Sequence, residues 1–256
     1  MKRYCATAYM SASGKLGGGV LALLAGYLMK VVYLLPMVLL WRVIAADGGD
    51  LGGMTLDSLL TYTCVSSMLS PLLNVRTDVV TWNYEGSMID LYRRPQGLFG
   101  QIIATTAGKW VPELLLYSLP LAIVISALGV RLLPATPWFL LCLALSVSLG
   151  FAVDMLFFCF MIHVPNALWM AYSLRYAMTS LLSGAVIPFA LLPWGLGGVF
   201  ELLPFGSMAA APLAVFIGAL SPARAIPLQL FWNLTLWPLA VLAFRGNRER
   251  LVSYGG

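Results

Sequence analysis

Continuously apolar segments, each about as long as a bilayer is thick, recur along this chain and leave it few ways to fold. A helix needs about 20 mostly apolar residues to cross a bilayer. Six segments meet that length: Tyr27–Ala46, Leu56–Val75, Val111–Val130, Trp138–His163, Leu168–Leu192 and Pro227–Phe244. Transmembrane strands would read as short alternating segments, whereas these are apolar without alternation. A helix also satisfies its own backbone polar groups in lipid. The charged fraction, 10% against 61% hydrophobic residues, falls far below the roughly 25% of soluble domains, so a solvated surface cannot be built. The expected fold is an all-α polytopic membrane protein. It has six transmembrane helices, an N-terminal interfacial segment, a cytosolic helix between spans two and three, and a broken outer helical hairpin between spans five and six. A seventh apolar stretch, Leu196–Gly218, is interrupted by Glu201, Pro204, Gly206 and Pro212. It is read as part of an outer re-entrant hairpin over 193–226, dipping into the interface.

The basic residues orient this scheme. With both termini inside, twelve Lys and Arg fall on the inner side: Lys2, Arg3, Lys15, Lys30, Arg76, Arg93, Arg94, Lys109, Arg175, Arg245, Arg248 and Arg250. Three, Arg42, Arg131 and Arg224, fall outside. That bias matches the positive-inside rule, and the net charge of +5 is a topology signal that anionic headgroups explain. Nucleic-acid binding is not required. Residues 1–24, with Lys2, Arg3 and Lys15, read either as a basic lead-in on the inner leaflet or as a disordered tail. The four cysteines have no paired spacing, so neither a disulfide framework nor a metal site is expected.

Charges inside the apolar segments are expensive. Asp154 and Arg175 flank the turn at His163 at comparable distances. A rise of about 1.5 Å per residue puts both about 13–18 Å from the inner end of an antiparallel hairpin. They are expected to pair and lock span four to span five; the alternative is a proton relay or a polar lining for a substrate path. Glu113 after Pro112 reads as the first turn of span three, where Pro fits and a carboxylate complements the helix dipole. Lys30 and Arg42, near the ends of span one, can snorkel. A Ser183–His163 catalytic pair is a poor reading, because the serine is twenty positions away, near mid-membrane. His163 is read as an interfacial loop residue.

The longest polar island in the body of the chain runs from Arg76 to Pro95, within an inner loop over 76–110. Trp82, Met88, Ile89, Leu91 and Tyr92 alternate there with Glu85, Asp90, Arg93 and Arg94. That pattern suits a short amphipathic helix, which Pro95 would end at the preceding residue. A surface helix without a partner is the plain alternative. Farther on, Pro188 would kink the outer end of span five, and Ser183, Gly184 and Ala185 would allow close helix approach. No Gly-x-x-x-x-Gly-Lys-[Ser/Thr] loop is present, so the usual phosphate cradle for ATP is missing.

Six spans, an inner segment ending Leu91-Tyr92-Arg93-Arg94-Pro95, and Leu182-Ser183-Gly184, Ile187-Pro188, Leu192-Pro193, Leu203-Pro204-Phe205, Pro212 and Gly218 together resemble the membrane subunits of ABC exporters of the type-2 permease family. Residues 182–218 carry the likeness best. In the loop, Tyr92 stands where the family usually has leucine. The resemblance implies a half-channel in the bacterial inner membrane, completed by a second copy or a homologous permease, with lipids around it. Two cytosolic ATPase subunits would bind ATP and Mg, with no cofactor or catalysis in this chain. Glu85, Gly86, Asp90, Tyr92, Arg93, Arg94 and Pro95 would form the coupling helix, and Gly184, Pro188, Pro193, Pro204 and Phe205 an outer gate. The competing readings are a lipid-modifying membrane enzyme using groups such as Asp154, Glu113 and His163, and a proton-driven secondary transporter working through Asp154.

Overall fold

A computed structural model describes residues 2–17, 19–164 and 168–247; Arg248 and Arg250, counted above as inner charges, lie outside them. The described residues are helical, with no strand among them. Among the described residues four helices, where six spans were expected, are long and apolar enough to cross a membrane: Leu23–Ala46, Leu98–Ala127, Phe139–Met161 and Pro222–Gly246. The chain thus has the build of a multi-pass membrane protein.

The first helix, α1 (Lys2–Leu16), leads into α2 (Gly19–Ala46). Expected span two is split into α3 (Leu56–Met68) and α4 (Ser70–Leu73). Pro71 lacks an N–H and disfavours helical backbone at the residue before it, so the break falls at Leu69–Ser70. The start of α3 is held by a capping box between Thr55 and Ser58, each satisfying an otherwise orphaned backbone donor. Two short helices follow, α5 (Val79–Tyr84) and α6 (Met88–Arg93).

Expected span three begins earlier than its apolar run. Helix α7 (Leu98–Glu113) passes through a π-helical turn, Leu114–Ser118, into α8 (Leu119–Ala127). Pro112 and Pro120 flank that turn, and each removes one helix donor. Pro112 and Glu113 therefore lie mid-helix, which corrects the first-turn reading.

Helix α9 (Phe139–Met161) is the best-buried span. It runs in the same direction as α14 (Pro222–Gly246): Gln229 bonds the Cys142 carbonyl, Asn233 the Leu145 carbonyl and Trp237 the Ser148 hydroxyl, in step.

Helix α10 (Leu168–Leu182) stops ten residues short of expected span five. Gly184 has φ +71°, a left-handed conformation that only glycine adopts without strain. Pro188 therefore sits in irregular chain and kinks no helix, contrary to expectation. Single turns at Phe189–Leu191 and Pro193–Gly195 lead to α11 (Leu196–Leu202), α12 (Pro204–Met208) and α13 (Ala210–Phe216). The tip of this hairpin does not stop at an interface. Met208 packs with Leu149 and Val153 of α9, which at about 1.5 Å per residue is about 15 Å or more down that helix.

Candidate functional site

The expected pair forms. Arg175 Nη2 lies 2.6 Å from Asp154 Oδ1, and both side chains are almost wholly buried. The pair also reaches a third segment that sequence spacing did not indicate. Thr77 donates to Asp154 Oδ2 through its backbone N–H at 3.1 Å and its hydroxyl at 2.5 Å. Arg175 donates to the Val75 carbonyl at 2.6 Å. Three charge-assisted hydrogen bonds and one ion pair thus join α9, α10 and the segment between α4 and α5. Charged partners make such bonds shorter and stronger than neutral ones, and they offset part of the cost of burying both ions, while the buried Arg175 Nε has no partner.

That third segment is the start of the polar island. Arg76 stacks over the Tyr176 ring at 5.4 Å, and Asp78 pairs with Lys109 of α7. Beyond it, α6 is amphipathic as read. Met88 and Leu91 are buried against Val79, Ile102, Met155, Phe158 and Phe244. Tyr84, Glu85, Asp90, Arg93, Arg94 and Pro95 are exposed, and Tyr92 is half-buried. The helix ends at Arg93, with Arg94 extended (ψ 140°) ahead of Pro95, as the proline requires. Gln101, fully buried on α7, donates to the carbonyls of Leu91 and Gln96 and so fixes the end of α6 to α7. Gly86 has φ +75° and open space around it, so it turns the chain between α5 and α6.

The N-terminal segment is a helix seated on α7. Tyr4 Oη accepts from the Gly97 N–H at 3.1 Å, and Ser11 donates to the Thr105 carbonyl at 2.8 Å. Ala8 lies against Gly108, where any Cβ would collide with the Ala8 backbone. Lys15 meets Glu113 at 2.5 Å, and Lys30 lies 3.5 Å from the same carboxylate. Lys30 therefore faces the protein interior rather than snorkelling.

The residues expected to form an outer gate lie on successive short segments of the hairpin and its approach. Gly184 touches Ala210 and Phe189. Pro204 opens α12 and Pro193 a single turn, while Phe205 packs beside Met208. Irregular backbone at membrane depth persists only where protein satisfies it, and polar residues scattered through the helices do so. Tyr62 donates to the Gly184 carbonyl at 2.8 Å and Ser66 to the Ala185 carbonyl at 2.6 Å. Ser146 bonds the Met208 carbonyl, and Gln229 the Ser207 carbonyl at 2.9 Å. The Ala210 N–H reaches the Ser183 carbonyl at 2.8 Å. Sequence reading passed over these four side chains, although each was visible as a polar residue within an apolar segment.

A cleft of about 580 Å³ lies between α2, α3–α4 and α10. It has the size of a small-molecule site. His163 sits in the turn after α9, its Nδ1 2.9 Å from the Cys159 carbonyl. Among the described residues no group of three His, Cys, Asp or Glu side chains is placed to hold a metal. Comparisons of the chain with models of protein families, with curated proteins and with solved structures returned no match.

Proposed function

We propose that this chain is the membrane-spanning permease subunit of an ATP-driven exporter of the ABC type-2 kind. In this reading α3–α4 and α10 with the hairpin complete six passes. Both termini lie in the cytosol of a bacterial cell, and two copies, or one copy and a homologous permease, enclose the path. The observation that carries the proposal is the junction of a surface helix to a buried ion pair. Helix α6 buries Met88 and Leu91 and leaves Asp90, Arg93 and Arg94 in solvent. Its lead-in, Val75–Thr77, is bonded directly to Asp154 and Arg175. A force applied to the exposed face of α5–α6 by an ATPase would therefore reach α9 and α10 through hydrogen bonds. The exposed Arg93–Asp90 contact, 3.9 Å, contributes little to stability, so both side chains are available to a partner. Arg is frequent among interface hot spots.

Proton-driven transport through Asp154 is the weaker reading, since that carboxylate already accepts from Arg175 and twice from Thr77. The decisive test is purification of the tagged chain from its native membrane. An ATPase subunit should accompany the wild type and be lost with Arg93→Glu/Arg94→Glu, while membrane insertion is unchanged. ATPase capture undiminished by the double reversal would refute the coupling role.

A further inference from the structure

The cleft beside the ion-pair network has a mixed lining. Leu34, Met37, Leu73 and Met208 provide apolar walls, and hydroxyls of α3 and α10 run between them. Its lining includes Tyr33 of α2 and Val186 after α10, both well exposed.

Two polar groups of its lining are buried without a hydrogen-bond partner: Asn74 Oδ1, an acceptor, and the Lys30 ammonium, a donor whose carboxylate contact is the long 3.5 Å ion pair with Glu113. Burying such groups unpaired is costly, and a buried charge more so. The charge there is also unbalanced. Lys15 and Lys30 share the single carboxylate of Glu113, and Lys15 holds it more closely, at 2.5 Å against 3.5 Å. A ligand that satisfies both groups needs an anionic oxygen for Lys30 and a hydroxyl donor for Asn74. A ligand that fills the rest needs an apolar tail to match the Leu34, Met37, Leu73 and Met208 walls.

We infer that the cleft binds an anionic amphiphile whose headgroup carries both a phosphate or carboxylate and a hydroxyl, with its chain along the Leu34–Met37 wall. That this ligand is cargo rests on the transport reading; its binding does not. Asn74 immediately precedes the Val75 carbonyl held by Arg175, so an occupied cleft would touch the segment that leads to α5–α6.

The test uses the purified full-length chain in neutral detergent, without any ATPase, and a fluorescent phosphatidylglycerol as tracer. Unlabelled phosphatidylglycerol should displace it at least tenfold more effectively than phosphatidylcholine. Glycerol 3-phosphate, an anionic phosphate with two hydroxyls and no tail, should not displace it at millimolar concentration. Lys30→Gln should abolish the preference over phosphatidylcholine, Lys30→Arg should retain it, and Asn74→Ala should weaken phosphatidylglycerol several-fold, each variant being monodisperse by gel filtration. Equal displacement by the two lipids, or a preference that survives both Lys30→Gln and Asn74→Ala, overturns the inference. Effective displacement by glycerol 3-phosphate overturns the amphiphile and leaves a small-anion site. Loss of ATPase capture would bear on the exporter reading and leave these binding results unaffected.

Discussion

At the residue scale, buried polar side chains in this protein act where the backbone stops being a helix. Asp154 and Arg175 hold the segment after α4, and Tyr62, Ser66, Ser146 and Gln229 hold the hairpin and its approach. Removing one ion and leaving the other buried should be severe, about 3–5 kcal/mol. We expect Asp154→Ala and Arg175→Ala each to lower thermal stability sharply in detergent, and the double variant to lose much less than the sum. A double-mutant cycle by thermal unfolding checks this; additive losses would show that the pair is not coupled. Gly184→Ala should also destabilise. Its Cβ would lie 2.8 Å from Ala210 Cβ with φ at +71°, and left-handed backbone alone costs a non-glycine residue about 1–2 kcal/mol. A melting temperature equal to wild type would contradict that placement.

At the element scale, the informative units are short. Helices α5 and α6 depend on Gly86 for their turn, and the space around it is open, so substitution there meets strain and no clash. Gly86→Asn should therefore express and insert better than Gly86→Val, because asparagine tolerates left-handed backbone and a β-branched residue does not. Equal behaviour of the two would argue against a left-handed turn. Helix α1 behaves as part of the helical body through its seat on α7, and Gly108→Leu should lift it by colliding with Ala8. Protease protection of residues 2–16 in purified protein is the readout, with wild type protected and the variant cleaved. The sequence announced α6 clearly, because an amphipathic run closed by Pro95 is a local signal. It announced α1 poorly, because small and polar residues such as Ala8 and Ser11 become an interface only when Gly108 and the Thr105 carbonyl face them.

At the scale of the whole molecule, the cysteines supply a test of orientation. Cys5 is exposed, while Cys64, Cys142 and Cys159 are buried. A membrane-impermeant maleimide should leave intact cells unlabelled and react with Cys5 in inverted vesicles. Trp194→Cys, placed at the hairpin in a Cys5→Ser background, should give the reverse, since Trp194 is 92% exposed. Labelling of Cys5 from outside would invert the proposed topology. Helices α2, α10 and α14 expose large apolar side chains such as Tyr33, Trp169 and Leu234, which fits helices that face lipid.

By itself the sequence determined the class of fold and the end of α6: runs of apolar residues specify membrane helices, and Pro95 stops α6 for a local steric reason that needs no knowledge of neighbours. It did not mark the breaks at Pro71 and Gly184, because hydropathy does not register a break inside an apolar run. It therefore presented six spans where four helices among the described residues are long and apolar enough to cross a membrane. Beyond the Asp154–Arg175 pair, which spacing anticipated, tertiary structure decided which polar groups meet. Thr77 and Asp154, Lys30 and Glu113, and Ser146 and Met208 are far apart in the chain. In a membrane helix the lipid-facing and protein-facing sides are both apolar, so periodicity marks no inner face. Which helix meets which is then settled by packing and by the backbone groups that must find a partner where water is absent.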